Sequence, residues 1–243
     1  MAPLNRFWKI FAILGWLLAI IFAGFFIWQK INLDSQSSKT YYKIFNKDEI
    51  LKGDETTASE VISKLDKRLN QYHRTFEKMV GKTSETKLKA LFYMNFVHMF
   101  GIYGKRDLKE NTFQDLLWGG QNFHCGTNTL FLAMLLDKAG YEFRTVSTNN
   151  GSHGFVEIKF DNRWQILDPT INTWIDKSTE ELIAGAPRQA KKFFLKAGDQ
   201  LNEQAQEDVV RVINVKDFML KLGIGYKGKI DNYNYMDLSH YQY

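Results

Sequence analysis

Three residues near the middle of the chain have types and an order that suit acyl transfer through a cysteine. Cys125 is the only cysteine of the 243 residues, His153 follows 28 positions later, and Asp168 follows after a further 15. A thiolate attacks an amide carbonyl, and a neighbouring imidazole takes up the thiol proton and then protonates the leaving amine. A carboxylate behind the imidazole fixes its tautomer. We therefore predict that these three residues form a catalytic triad.

The segment that starts at Cys125 has the pattern of a helix. Apolar residues recur at helical spacing from Leu130 to Leu135, and Gly140 is well placed to end the helix. The positive end of a helix dipole favours a thiolate, and the amides there point towards a substrate. The backbone amide of Cys125 is therefore expected to donate to the oxyanion that forms during attack.

Three strand-like segments follow this helix. They cover residues 142–148, 153–160 and 163–168, with the turn sequences NNGS and DN between them. The short DN turn predicts an antiparallel pairing of the second segment with the third, with Phe160 near Arg163. That pairing brings Asp168 towards His153. The order of elements predicts an α+β domain in which helices pack on an antiparallel sheet.

The order of elements around the triad resembles the core of the transglutaminase-like superfamily, which has a papain-like cysteine acyl-transfer fold. In that family a Cys opens a helix that ends in a glycine, and a strand with an Arg follows. Then come a His–small–aromatic–x–Glu strand and a strand with Trp and Asp-Pro. The matching positions are Cys125, Gly140, Arg144, His153, Gly154, Phe155, Glu157, Trp164, Asp168 and Pro169.

The resemblance covers about residues 85–175 and lies in the segments GGQNFHCGTNTLFLAMLLDKAGYEFRTV, HGFVEIKF and RWQILDPT. It implies a membrane-anchored, bacterial-type member that acts on amide bonds through a thioester acyl-enzyme. One departure is Thr129, where the family often has a small apolar residue four positions after the Cys.

Other residues near the triad have weaker assignments. Gln121 and Trp118 are candidates for an upstream oxyanion donor because they lie close to Cys125 in sequence. His124 adjoins Cys125, but neighbours at a helix start point in different directions, so we expect it to lie behind the reacting groups at best. Taken singly, Cys125 also fits a buried core position and His153 a surface position after a turn. The triad prediction depends on the joint pattern.

An uncharged apolar run covers residues 10–28, with Arg6 and Lys9 before it and Lys30 after it. It is long enough to cross a bilayer core of about 30 Å as one helix. A cleaved signal peptide is the alternative, but it would have an apolar core of about 7–15 residues and a small-residue cleavage site. We therefore predict a single-pass signal anchor, with the catalytic domain outside the cytoplasm because a short N-terminus usually stays inside.

We divide the chain into an anchor at residues 1–30, a stalk at 31–54 and a catalytic domain at 55–243 with a C-terminal helical extension and a tyrosine-rich tail. Capping boxes at Thr57 and Ser178 predict helix starts. Further helices are expected at residues 84–100, 112–117, 191–196 and 215–222. His73 and His98, which lie on these helices, are expected to be surface or satisfied core histidines rather than ligands.

Charge and composition argue against several classes of binding partner. The net charge is +5, but three of the 32 basic residues and none of the 27 acidic residues lie in residues 1–30, so the remainder carries 29 basic and 27 acidic side chains. Without a basic stripe, nucleic acid is not expected as a partner. A lone cysteine and scattered histidines lack ligand spacing, so neither a metal nor another cofactor is expected.

The acceptor and the partner remain open at the level of sequence. Water as acceptor makes the chain a peptidase or amidase acting on a protein or peptide, and an amine makes it a transglutaminase. We favour hydrolysis because excluding water needs additional structure. Two alternatives are a catalytically silent, membrane-tethered binding module and an assembly factor serving an envelope or polysaccharide machine.

Overall fold

The computed structural model describes residues 37–103, 113–118, 122–147, 153–184 and 190–193, together with Trp16. These residues form helices, one antiparallel sheet and a short parallel strand pair. The chain divides into two units, residues 1–43 and 44–243. In the first unit the described residues, Trp16 and 37–43, are helical. The second unit contains all the strands described below.

The helices are α1 (residues 37–44), α2 (Lys47–Ile50), α3 (Ala58–Val80), α4 (Glu85–Phe100), α5 (Phe113–Trp118), α6 (Cys125–Lys138) and α7 (Thr179–Ile183). The strands are β1 (Ile102–Tyr103), β2 (Asn122–Phe123), β3 (Phe143–Ser147), β4 (Gly154–Phe160), β5 (Arg163–Asp168), β6 (Thr173–Ile175) and β7 (Ala190–Lys192).

Helices α3, α4 and α7 of the second unit begin where the sequence provides caps. Thr57 and Glu60 form the predicted capping box of α3, and Ser178 and Glu181 form that of α7. The hydroxyl of Ser84 accepts the amide of the third residue of α4. Each cap satisfies amides that have no partner within the helix, which explains why these starts are legible in the sequence.

The main sheet has the order β3-β4-β5-β6-β7, and every neighbouring pair is antiparallel. Phe160 pairs with Arg163 across the β4–β5 turn, as predicted. Asp161 and Asn162 have positive φ angles of 49° and 61°, which these residue types tolerate better than most. The α+β class with helices beside an antiparallel sheet is therefore confirmed. A separate parallel pair, β1 with β2, lies just before α6.

Helix α6 is central to the core. Its residues from Thr127 to Leu136 are all buried, and it packs against α3, α4, β3 and β4. The rings of Phe100 and Phe123 lie 5.6 Å apart, and each also packs on Phe131 of α6. The second turn of α6, at Phe131, is therefore held by aromatic packing from β2 and the end of α4.

Residues 44–54, which we assigned to a stalk, belong to the folded unit instead. Ile44 and Phe45 are fully buried, and the Phe45 ring lies 4.8 Å from Phe92 and 5.7 Å from Phe76. Arg68 of α3 donates from Nε to the Ile44 carbonyl at 3.0 Å. The polar SQSSK segment dominated the sequence pattern and obscured the short apolar segment behind it.

The helix predicted at residues 191–196 is also wrong for its described part, because residues 190–192 form strand β7. This strand pairs with β6, and Lys191 donates from Nζ to the carbonyl of Val80 at 2.5 Å. Pairing with the sheet edge overrides the local helical pattern. The helix predicted at 215–222 and the tyrosine-rich tail lie outside the described residues.

Candidate active site

Cys125 is the first residue of α6, as predicted, and its neighbour His124 is the N-cap. The Nδ1 atom of His124 accepts the amide of Gly126 at 3.0 Å and that of Thr127 at 3.4 Å. An imidazole nitrogen thus does the work that a Ser, Thr, Asp or Asn oxygen usually does at this position. Because Nδ1 accepts, the ring proton of neutral His124 must be on Nε2.

His153 immediately precedes β4, and Asp168 ends β5, so the sheet register brings them together. The pairing of β4 with β5 runs from Phe160 and Arg163 to Val156 and Leu167. One step further along this register, Asp168 comes opposite Phe155. The Nε2 atom of His153 lies 2.6 Å from Oδ2 of Asp168. Both are buried, with 4% and 1% of their surface exposed. The structure therefore joins the predicted base to the predicted carboxylate.

The second carboxylate oxygen of Asp168 is held by the chain that follows it. Oδ1 accepts the amide of Thr170 at 3.0 Å and that of Ile171 at 3.4 Å. These bonds belong to a turn over residues 169–172. Both oxygens of the carboxylate are thus satisfied, one by the imidazole and the other by backbone amides. This is the requirement for a buried charge.

The thiol of Cys125 contacts the imidazole and is stabilised as the anion. Burial raises the pKa of the thiol, but hydrogen bonds with the His124 and His153 rings, the charge of His153 and the amide of Gly154 outweigh burial. Together they lower the pKa of Cys125 from its ordinary 9.0 to about 6. Since Nε2 of His153 faces Asp168, the nitrogen left for the thiol is Nδ1.

The pKa of His153 moves in the opposite direction. Burial lowers the pKa of His153, but the charge and hydrogen bond of Asp168, followed by those of Cys125, raise it by more. The net effect is a rise from the ordinary 6.5 to about 10. Between about pH 6 and pH 10 the site therefore contains a thiolate beside an imidazolium. This is the form in which a cysteine attacks an amide carbonyl.

The weaker donor candidates fare differently. Trp118 is 40% exposed, and its indole N–H donates to the carbonyl of Glu55 at 2.6 Å, so that donor is not directed at an oxyanion. Trp118 instead forms one wall of a surface cavity of about 300 Å³, whose other described lining residues lie between 47 and 53. Gln121 lies outside the described residues.

Two contacts to the thiol were missed by sequence reasoning. His124 was expected to point elsewhere, but its hydrogen bond is the first that lowers the pKa of Cys125, and the Gly154 amide also contributes. Histidine is not a favoured N-cap type, so its residue type gave no signal for this position. The Gly154 contact is made by the backbone, and it required knowledge of how β4 meets α6.

A buried ionic network lies further along β4 than His153 and is centred on Glu157. Glu157 is fully buried and accepts from Nε of Arg144 at 2.5 Å and from the amide of Thr179 at 2.5 Å. Arg144 also donates to Glu180 and stacks at 4.6 Å over the ring of Trp164. The network joins β3, β4, β5 and α7, so it holds the sheet together around the site.

Comparison with protein-family models, with curated proteins and with solved structures gives no match for this chain. Across the described residues, no group of three or more His, Cys, Asp or Glu side chains is arranged to hold a metal ion. In the same part of the chain, none of the helices combines the length and apolar character needed to cross a membrane. The apolar run at residues 10–28 lies outside the described residues, apart from Trp16, which is exposed.

Proposed function

We propose that this chain is a membrane-anchored, transglutaminase-like enzyme that cleaves amide bonds of a protein or peptide through a cysteinyl thioester. The observation that carries the proposal is the arrangement of Cys125, His153 and Asp168. A thiol at a helix start contacts an imidazole whose Nε2 lies 2.6 Å from a buried carboxylate. Nucleophile, base and orienting carboxylate are the three roles that acyl transfer by a thiol needs.

The first half-reaction forms the acyl-enzyme. The Cys125 thiolate attacks the amide carbon, and the electron pair of the C=O bond moves to oxygen to give an oxyanion. Two early amides of α6 are used by His124, so we assign oxyanion stabilisation to the backbone amide of Cys125. Nδ1–H of His153 then protonates the leaving nitrogen, the C–N bond breaks, and a thioester remains.

The second half-reaction regenerates the thiolate. Neutral His153 takes a proton from water through Nδ1, and the resulting hydroxide attacks the thioester carbon. The C–S bond breaks, and the products are a carboxylic acid and the imidazolium–thiolate pair. An amine in place of water would give amine transfer, as in a transglutaminase. Hydrolysis is preferred because it needs no second binding site for an acceptor.

A catalytically silent binding module is the alternative from another class. It would not need a thiol whose pKa is lowered to about 6 or a fully satisfied carboxylate behind the imidazole. Strongly shifted pKa values are typical of functional sites, although structural ion pairs also produce them. The site therefore favours turnover, while a role beside an envelope or polysaccharide machine is compatible with the same chemistry.

The proposed location follows from the sequence alone. The uncharged run at residues 10–28 would anchor the chain, and the catalytic unit would lie outside the cytoplasm. Its substrate would then be a protein or peptide close to the membrane surface.

The pH dependence of Cys125 alkylation by iodoacetamide tests the proposal directly. In the full chain, purified in detergent, the rate is expected to rise with a midpoint near pH 6 because the thiolate forms there. His153→Ala removes the imidazolium, so the midpoint is expected to move towards the ordinary value near 9. The hydrogen bonds of His124 and Gly154 remain in this variant, and each unit by which the midpoint rises lowers the thiolate fraction about tenfold at a pH well below the midpoint.

His73→Ala is the matched control, because His73 is paired with Glu85 on the surface at 2.9 Å and should leave the alkylation profile unchanged. A wild-type thiol that titrates near 9, or one that is indifferent to His153→Ala, would rule out the proposed ion pair. The silent-module alternative would then be preferred.

A further inference from the structure

A buried polar cluster between α4 and the 169–172 turn has no part in the chemistry described so far. It contains two asparagines, Asn95 and Asn172, both fully buried, and the largely buried His98. Asn95 and His98 lie one turn apart in the second half of α4. Burying amide and imidazole groups costs free energy unless each finds a partner, so the contacts of this cluster are informative.

The cluster ties the turn to α4 at two points. Nδ2 of Asn172 donates to Oδ1 of Asn95 at 3.1 Å, and Nδ2 of Asn95 donates back to the carbonyl of Leu91 at 2.6 Å. Nδ1 of His98 lies 3.0 Å from the carbonyl of Pro169, and a carbonyl can only accept, so that nitrogen carries the proton. Both ends of the turn are therefore bonded to the same helix.

The turn itself holds the triad carboxylate. The amides of Thr170 and Ile171 donate to Oδ1 of Asp168, whose Oδ2 faces His153. The backbone at Asn172 has a φ of 48°, and its carbonyl accepts the amide of Phe193. A residue held in this uncommon conformation persists when its surroundings over-determine it. Here the side-chain amide of Asn95 on α4 and the backbone amide of Phe193, just after β7, supply that constraint.

We propose that Asn95 and His98 are positioning residues that fix the 169–172 turn, and through its amides the carboxylate of Asp168, against the imidazole of His153. This inference rests on the proposed function, since orientation of Asp168 matters only if His153 serves the thiol. The groups that shift the pKa of His153 by charge and hydrogen bonding are Asp168 and Cys125, and the α4 residues contact the turn through Pro169 and Asn172.

A misplaced carboxylate would have a defined effect. The imidazolium would lose part of its stabilisation, and the thiolate would in turn lose part of its partner. The apparent pKa of Cys125 would therefore rise from about 6. A rise of one unit lowers the thiolate fraction about tenfold at a pH well below the midpoint. A purely structural role would lower the melting temperature without moving this titration.

The experiment is the iodoacetamide profile of the full chain from pH 4.5 to 9.5, in wild type and variants. Asn95→Ala and His98→Ala are each expected to raise the thiol midpoint by about one unit and to slow alkylation about tenfold at pH 5. His98→Asn keeps a donor near the place of Nδ1 and should restore the profile. Tyr93→Phe is the matched control, because it removes a part-buried 2.7 Å bond to Asp66 from the same helix without touching the turn.

Asn172→Gly is a second variant that breaks the contact with α4 from the side of the turn, in case the α4 variants do not fold. Glycine accepts the φ of 48° without strain and removes the side-chain amide that reaches Asn95. A raised midpoint in this variant and in Asn95→Ala, with Tyr93→Phe unchanged, supports the inference. Unchanged midpoints in Asn95→Ala, His98→Ala and Asn172→Gly beside a normal wild type overturn it alone. A wild-type midpoint near 9 overturns the proposed function and this inference with it.

Discussion

At the residue scale, the reactivity of Cys125 depends on which neighbours donate to its sulfur. The order Cys, His, Asp was legible in the sequence because each residue type has one dominant role in acyl transfer. The contact of His124 with the thiol could not be predicted in this way, since a sequence neighbour can face any direction at a helix start. Its ring caps α6 and also lowers the pKa of the thiol. Only the folded backbone determines that one imidazole does both.

Asp168→Asn tests the charge of the carboxylate separately from its shape. The amide retains an oxygen for the Thr170 and Ile171 amides but no longer raises the pKa of His153 by charge. The midpoint of Cys125 alkylation is expected to rise above 6, and turnover of any amide substrate should fall by about 10²- to 10⁴-fold. Far-ultraviolet circular dichroism checks that the fold is kept. A midpoint that stays near 6 would show that the carboxylate charge does not support the ion pair.

At the element scale, local signals predicted α6, β4 and β5, and the short β4–β5 turn predicted their register. The pairs that involve distant segments were not predictable. The β1–β2 pair and the β6–β7 pair each join segments that are separated by long stretches of chain. None of these four strands has an alternating pattern long enough to be distinguished from a loop. The 169–172 turn was equally hidden, because its partners Asn95 and His98 lie on a helix about 70 residues earlier.

Gly101→Ala tests whether β2 positions Cys125. A Cβ atom at Gly101 would lie 2.9 Å from the Cβ of Phe123 and closer still to its ring. Phe123 is buried against Phe100 and Phe131, so it cannot swing away freely. The substitution is expected to cost about 1–3 kcal/mol of unfolding free energy. It should also slow alkylation of Cys125 at pH 6.5.

Gly81→Ala is the control for stability loss alone. Gly81 has a φ of 91° and open space around it, so alanine strains the backbone at the end of α3 without displacing a neighbour. Its melting temperature should fall while its alkylation rate stays at the wild-type value. Equal alkylation rates in both variants would contradict a positioning role for the Gly101–Phe123 contact.

At the scale of the whole molecule, the folded unit begins earlier than the composition suggested. The boundary at residue 54 followed the polar residues, whereas the core includes Ile44 and Phe45. A segment with only a few apolar residues contributes to a core when those residues all face one direction, and composition does not record direction. The α+β class depended on longer and more regular patterns, so it could be predicted.

Phe45→Ala measures whether residues 44–54 stabilise the folded unit. Loss of a fully buried ring that packs on Phe76 and Phe92 is expected to cost about 3–5 kcal/mol in urea unfolding. Tyr42→Ala removes a ring that is 37% exposed, three residues earlier, and should change the unfolding free energy by clearly less than Phe45→Ala does. Equal and small effects of both substitutions would restore the stalk assignment.

The lone cysteine also determines how the site would respond to oxidants. A thiolate present near neutral pH reacts readily with peroxide and forms a sulfenic acid. These 243 residues contain no second cysteine that could condense with it to an internal disulfide. Recovery would therefore depend on a small external thiol, and without one the sulfur would proceed to the irreversible sulfinic acid. The lowered pKa of the Cys125 thiol thus also makes a supply of reductant around the chain a condition for the proposed activity to last.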